Sequence, residues 1–119
     1  MAHDGQLQIE SPLLPGLLGL TKAAVQPAEA ILETAKESVR ALVTDNGRVS
    51  ASLGDQNQTA AHGLAWLATY AQALRQMHRW ATDLEAQSKF GEVEALILQI
   101  TFGEYLWQIY GGIPMNQGE

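Results

Sequence analysis

The sequence predicts an all-α protein: an up-down bundle of three long antiparallel helices plus a shorter N-terminal helix. Three observations carry this expectation. Apolar residues recur at three- and four-residue steps along most of the chain, which gathers them on one face of a helix. Alanine and leucine dominate, while β-branched residues are scattered and never form strand-length runs. The periodic segments are joined by short connections, and helices joined in this way usually lie antiparallel.

Residues 1–11 are polar and without period, and read as a flexible tail. Residues 12–114 form the expected single bundle domain. Its first piece, Pro12 to Val25, is the shorter helix, with Leu13, Leu14, Leu17, Leu18 and Leu20 crowded around Gly16 and Gly19. Pro27 either kinks that helix or opens a new one at its first position, where a missing N–H costs nothing. From Pro27 onward Ile31, Leu32, Ala35, Val39, Leu42 and Val43 share one face, and Asp45-Asn46-Gly47 is expected to supply a left-handed cap.

Arg48 to Asp55 reads as a Ser- and Gly-rich linker, with Asp55 and Gln58 spaced as a capping box. The next helix, from about Gln56 to Gln87, spans about 45 Å at ~1.5 Å per residue. Its seam is Leu67, Tyr70, Leu74, Met77, Ala81 and Leu84, a spacing suited to coiled-coil-like packing. A break follows at Gln87-Ser88-Lys89, with Ser88 as the expected N-cap. The last helix, about Phe90 to Tyr110, carries Val93, Leu96, Ile97, Ile100, Phe102, Leu106 and Ile109. A helix so apolar around its circumference is normally buried between others. Gly111-Gly112-Ile113-Pro114 should stop it, and residues 115–119 form a C-terminal tail. The end at Gln117-Gly118-Glu119 is expected to be a truncation within a longer protein, with a natural short chain as the alternative.

Composition narrows the function. A hydrophobic fraction of 46% is enough for a modest core in 119 residues. A net charge of −6, with only seven Lys and Arg, argues against nucleic acid as a partner. There are no cysteines, hence no disulfides, thiolate metal site or thiol nucleophile. The N-terminus lacks the basic and apolar regions of a signal peptide, and Pro12 to Leu20 is too short and interrupted to span a membrane. A soluble, cytoplasmic protein is expected.

The search for chemistry finds little. A bundle-type di-metal site needs Glu-x-x-His on two helices; Glu92, Glu94 and Glu104 have no histidine three residues on. His62 reads as a partly exposed polar residue, the alternative of a general base lacking any nominated nucleophile. Arg75, His78 and Arg79 cluster at i, i+3 and i+4. They read first as a solvated face pairing with Asp83 or neighbouring acids, and alternatively as a weak anion-binding candidate for phosphate or carboxylate. Phe102, Trp107 and Tyr110 cannot all point into a small bundle. With Gly103, where another helix could approach closely, they form the candidate interaction surface. There is no glycine-rich phosphate loop, nucleophile elbow or paired-carboxylate motif.

Two stretches carry a resemblance. The first is Ala60-Ala61-His62-Gly63-Leu64-Ala65-Trp66-Leu67-Ala68-Thr69-Tyr70. The second runs from Phe90-Gly91-Glu92 through Phe102-Gly103-Glu104-Tyr105 to Gly111-Gly112-Ile113-Pro114-Met115-Asn116-Gln117-Gly118-Glu119. Together they resemble the N-terminal helical region ahead of the main body in bacterial acyl-CoA dehydrogenase-like flavoproteins, over about residues 28–119.

The resemblance implies a parent enzyme that removes the α and β hydrogens of an acyl-CoA, with a glutamate base and FAD as hydride acceptor. It also implies a dimer or tetramer. The middle β-domain and the C-terminal helical domain of that family are absent, so no catalytic or flavin residue carries over, Glu104 included. This segment alone is therefore expected to have no activity, to bind neither cofactor nor metal, and to meet acyl-CoA only through the parent enzyme. Its expected partner is the remainder of that enzyme or another copy of itself. The alternative is a free-standing helical interaction module that self-associates.

Overall fold

The structure, a computed structural model, describes residues 11–111. Residues 1–10 of the expected tail at 1–11, residues 112–114 of the expected stop at 111–114 and the expected tail at 115–119 lie outside the described residues. The chain is mostly helical: α1 (Leu17–Val43), a two-stranded hairpin of β1 (Thr44–Asp45) and β2 (Arg48–Val49), then α2 (Ala51–Gln56), α3 (Gln58–Ala86) and α4 (Glu92–Gly111).

The N-terminal half departs most from expectation. The shorter helix and the one expected from Pro27 are a single element, α1, with Pro27 in its interior. Pro27 is exposed, so the Ala23 carbonyl that loses its helical partner faces water rather than core. Pro12 to Leu14 is not helical. The Gln99 side chain of α4 accepts from the Leu14 N–H at 2.8 Å and donates to the Pro12 carbonyl at 2.9 Å. Gly16, at φ +67°, then turns the chain into α1.

Asp45-Asn46-Gly47 does not cap the helix. Asn46 (φ 52°) and Gly47 (φ 78°) form the tight turn of the hairpin, pairing Thr44 with Val49 and Asp45 with Arg48. An Asn-Gly pair with both φ positive suits the twist of a two-residue hairpin. The Arg48 to Asp55 linker is thus two residues of strand, the cap residue Ser50 and five residues of helix. Ser50 caps α2 by accepting from the Leu53 N–H at 3.2 Å, which leaves Asp55 inside α2 and not in a capping box. The break before α3 is Asn57, whose side-chain amide donates to the Leu53 carbonyl at 2.8 Å.

Ser88 is not the N-cap of the last helix. It sits at φ +58° and closes α3, its N–H bonding the Glu85 carbonyl while the Lys89 N–H bonds that of Leu84. This is a Schellman arrangement with serine in the usual glycine position. The N-terminus of α4 falls at Gly91, where the Glu94 carboxylate accepts from the Gly91 N–H at 3.1 Å.

The core lies where α1, α3 and α4 meet. Ala28, Leu74, Ala81 and Leu98 are fully buried, joined by Leu17, Ala95 and Phe102. The expected α3 seam is buried or half-buried throughout. Small residues at Ala28, Ala71 and Ala81 let helix backbones approach closely there. Thr21 meets His78, Glu29 meets Arg75, and the Leu42 carbonyl accepts from Asn57, so α1 and α3 run in opposite directions.

Candidate functional site

The sequence nominated an apolar surface on α4 and a basic cluster on α3, and the structure gives each a definite setting. In α4, Ala95, Leu98, Phe102, Tyr105 and Ile109 follow one another at three- and four-residue steps and face the core. Val93, Ile97, Ile100 and Trp107 follow the same rhythm on the opposite side and are exposed. At about 100° per residue the two stripes lie on opposite faces. Neighbours cover one stripe, and among the described residues nothing covers the other.

The four nominated surface residues divide. Phe102 is 4% exposed and belongs to the core, whereas Trp107 and Tyr110 are 73% and 60% exposed. Gly103 is exposed beside a groove of about 190 Å³ lined by Leu14, Leu17, Leu20 and Leu106, with open space where a Cβ would stand. An exposed apolar band of this kind is unusual on a self-sufficient protein surface.

Arg75, His78 and Arg79 line a shallow groove between α1 and α3, joined there by Lys22 and Glu29 from α1. Glu29 accepts from Arg75 Nε at 3.3 Å. Of the two expected pairings, the one with an acid of a neighbouring helix is formed and the one with Asp83 is not: among the described residues Arg75–Glu29 is the groove's only ion pair. His78 Nδ1 lies 2.8 Å from the Thr21 hydroxyl, which also donates to the Leu18 carbonyl at 3.1 Å. With that proton committed, Thr21 accepts from Nδ1–H. Burial, and then the positive charge of Lys22, hold His78 below its ordinary pKa of 6.5.

Thr21 carries the only buried polar side chain of the described core, and no local pattern points to its partner 57 positions away. An aromatic ladder does have a local signal. His62, Trp66 and Tyr70 are spaced at i, i+4 and i+8; His62 stacks on Trp66 at a centroid distance of 6.3 Å, and Tyr70 meets Trp66 at 5.7 Å with its ring tilted by 40°. Tyr105 of α4 completes the ladder, 5.0 Å from Tyr70. His62 is thus packed on an indole and is not poised against a nucleophile.

Among the described residues no group of three His, Asp or Glu side chains could hold a metal, and no helix is long and apolar enough to cross a membrane. Glu104, exposed on α4, accepts from the Gln108 amide at 3.2 Å.

No family model matches the sequence. Over 108 residues, 91% of the chain, it is 55% identical to the (2S)-methylsuccinyl-CoA dehydrogenase of Cereibacter sphaeroides. The chain matches a region of an acyl-CoA dehydrogenase. That region is 20% of the relative's length, so the chain spans about a fifth of the dehydrogenase it resembles. The family resemblance carried by the Ala60–Tyr70 and Phe90–Glu119 stretches is thereby supported by direct similarity across nearly the whole chain.

Proposed function

We propose that this chain is a non-catalytic helical assembly region of an acyl-CoA dehydrogenase-like flavoenzyme. In this reading residues 12–114 form one up-down bundle, with α1, α3 and α4 as its three long helices. The parent reaction is the FAD-dependent α,β-dehydrogenation of an acyl-CoA in the cytoplasm, and this segment holds neither flavin nor thioester. The observation that carries the assembly role is the uncovered stripe of Val93, Ile97, Ile100 and Trp107. Burying it removes apolar surface from water at about 25 cal/mol per Å².

The charges on α4 favour the parent enzyme as the occupant. Glu92, Glu94 and Glu104 are its only ionisable carboxylates, and it carries no Lys, Arg or His. Pairing two copies of α4 would bring like charges together, whereas a face bordered by Lys or Arg complements them. The runner-up, a free-standing module that self-associates through Phe102 to Tyr110, draws support from the stripe's heptad-like rhythm, which suits helix pairing.

Purified chain should be colourless, retain no FAD and leave methylsuccinyl-CoA unoxidised. Mixed with the remainder of a methylsuccinyl-CoA dehydrogenase, it should co-sediment with it, and the Ile100→Lys/Trp107→Lys variant should not. Stoichiometric flavin in the chain alone would overturn the non-catalytic reading. Concentration-dependent dimers, with no binding to the remainder, would favour self-association.

A further inference from the structure

We infer that the groove between α1 and α3 is a binding site for a phosphate group, held by Lys22, His78 and Arg79. The chain is acidic, at −6, and owns only seven Lys and Arg, yet three of the seven line this one groove. They come from two helices, Lys22 from α1 and Arg75 and Arg79 from α3, so chain folding brings them together and a local sequence run does not. Glu29 neutralises Arg75, and among the described residues no carboxylate pairs with Lys22 or Arg79.

Positive groups gathered without matching carboxylates repel one another, and a dianion seated between them removes that cost. The groove has room for such a group, at about 540 Å³, and Val25 and Thr82 give it a partly apolar wall. His78 fits the role. Its Nδ1 is occupied by Thr21, which fixes the ring and leaves Nε2 as the nitrogen available to a ligand. Burial, and then the charge of Lys22, lower the pKa of His78; an anion in the groove would offset the Lys22 field and favour the imidazolium, which donates from Nε2. The charged groups lining the groove are Lys22 and Glu29 from α1 and Arg75 and Arg79 from α3. This inference does not depend on the assembly reading of α4.

The test is an NMR titration of the histidine ring signals of the 119-residue chain with inorganic phosphate and, separately, phenyl phosphate, at constant ionic strength. The expected result is a saturable shift confined to His78 and a rise in its apparent pKa. Lys22→Gln and Arg79→Gln should each weaken binding by about tenfold, the loss expected for one charge-assisted hydrogen bond. Lys36→Gln, remote from the groove and paired with Glu33, should bind as wild type. Tighter binding of phenyl phosphate than of phosphate would identify a phosphate carried on a larger ligand; equal binding would identify the free anion. Shifts reproduced by chloride, or unchanged binding in Lys22→Gln/Arg79→Gln at unaltered helix content, would overturn the site.

Discussion

Thr21 and His78, 57 positions apart, meet at 2.8 Å and tie the start of α1 to the last turns of α3. The threonine is 2% exposed, so this is a polar contact inside an otherwise apolar interface. Its alignment also fixes which nitrogen of His78 faces the basic groove.

Thr21→Val keeps the shape but leaves His78 Nδ1–H without an acceptor. It should destabilise the chain by about 1–3 kcal/mol, the cost of an unsatisfied buried donor. Urea denaturation at pH 7.5 measures this. In Thr21→Val/His78→Leu, where both partners are apolar, much of the loss should be recovered.

The pH dependence has a definite sign. His78 has a folded-state pKa below its unfolded value of 6.5, so between the two the unfolded chain binds more protons. Its contribution to stability is fully present above pH 6.5 and declines as pH falls through the folded-state pKa. Thermal unfolding between pH 7.5 and 5.5 should therefore show a falling Tm. The fall should be shallower in His78→Gln, which removes the titrating group.

The two stripes of α4 should respond oppositely to truncation. Leu98 is fully buried, so Leu98→Ala should cost about 2–5 kcal/mol. Ile100, at 68% exposed, should tolerate alanine within about 0.5 kcal/mol. Equal losses in chemical denaturation would show that the outer stripe is covered in the free chain.

Glycine substitutions separate stability from docking. Gly19 and Gly103 are helical, and an added Cβ meets nothing within 4 Å at either. Each should gain about 0.5–1 kcal/mol on replacement by alanine. On the proposed assembly role, Gly19→Ala should leave association with the remainder of the dehydrogenase unchanged, while Gly103→Ala should weaken it, because the methyl group would occupy the surface proposed to receive a partner helix. Sedimentation of the two variants side by side decides this.

Gly47→Ala tests the hairpin. With φ at +78° and open space around it, the substitution meets backbone strain alone, costing about 1 kcal/mol. The change should be visible in the thermal midpoint while the helical circular dichroism of the native state is unaltered.

Much of this architecture is legible in the sequence. The α3 seam from Leu67 to Leu84 follows from its spacing alone, because a helix buries what recurs on one face. The apolar excess of α4 was equally plain. Connections were harder to read, since the same residue types serve several turns. Asn46-Gly47 suits a helix cap and a hairpin alike, and Ser88 suits an N-cap and, less commonly, a left-handed C-cap. Pro27 suits a kink or the first position of a helix; in the structure it lies inside α1 on an exposed side, while Ala28 beside it is buried in the core.

The sequence by itself determined the helical periodicity and the acidic balance, which depend on local spacing and on composition. Only the tertiary structure decided which of two apolar stripes on α4 is covered, that Phe102 points inward while Trp107 and Tyr110 do not, and that Lys22 joins Arg75, His78 and Arg79. These are outcomes of how helices distant in the chain pack together, and a one-dimensional pattern specifies a face without naming its neighbour.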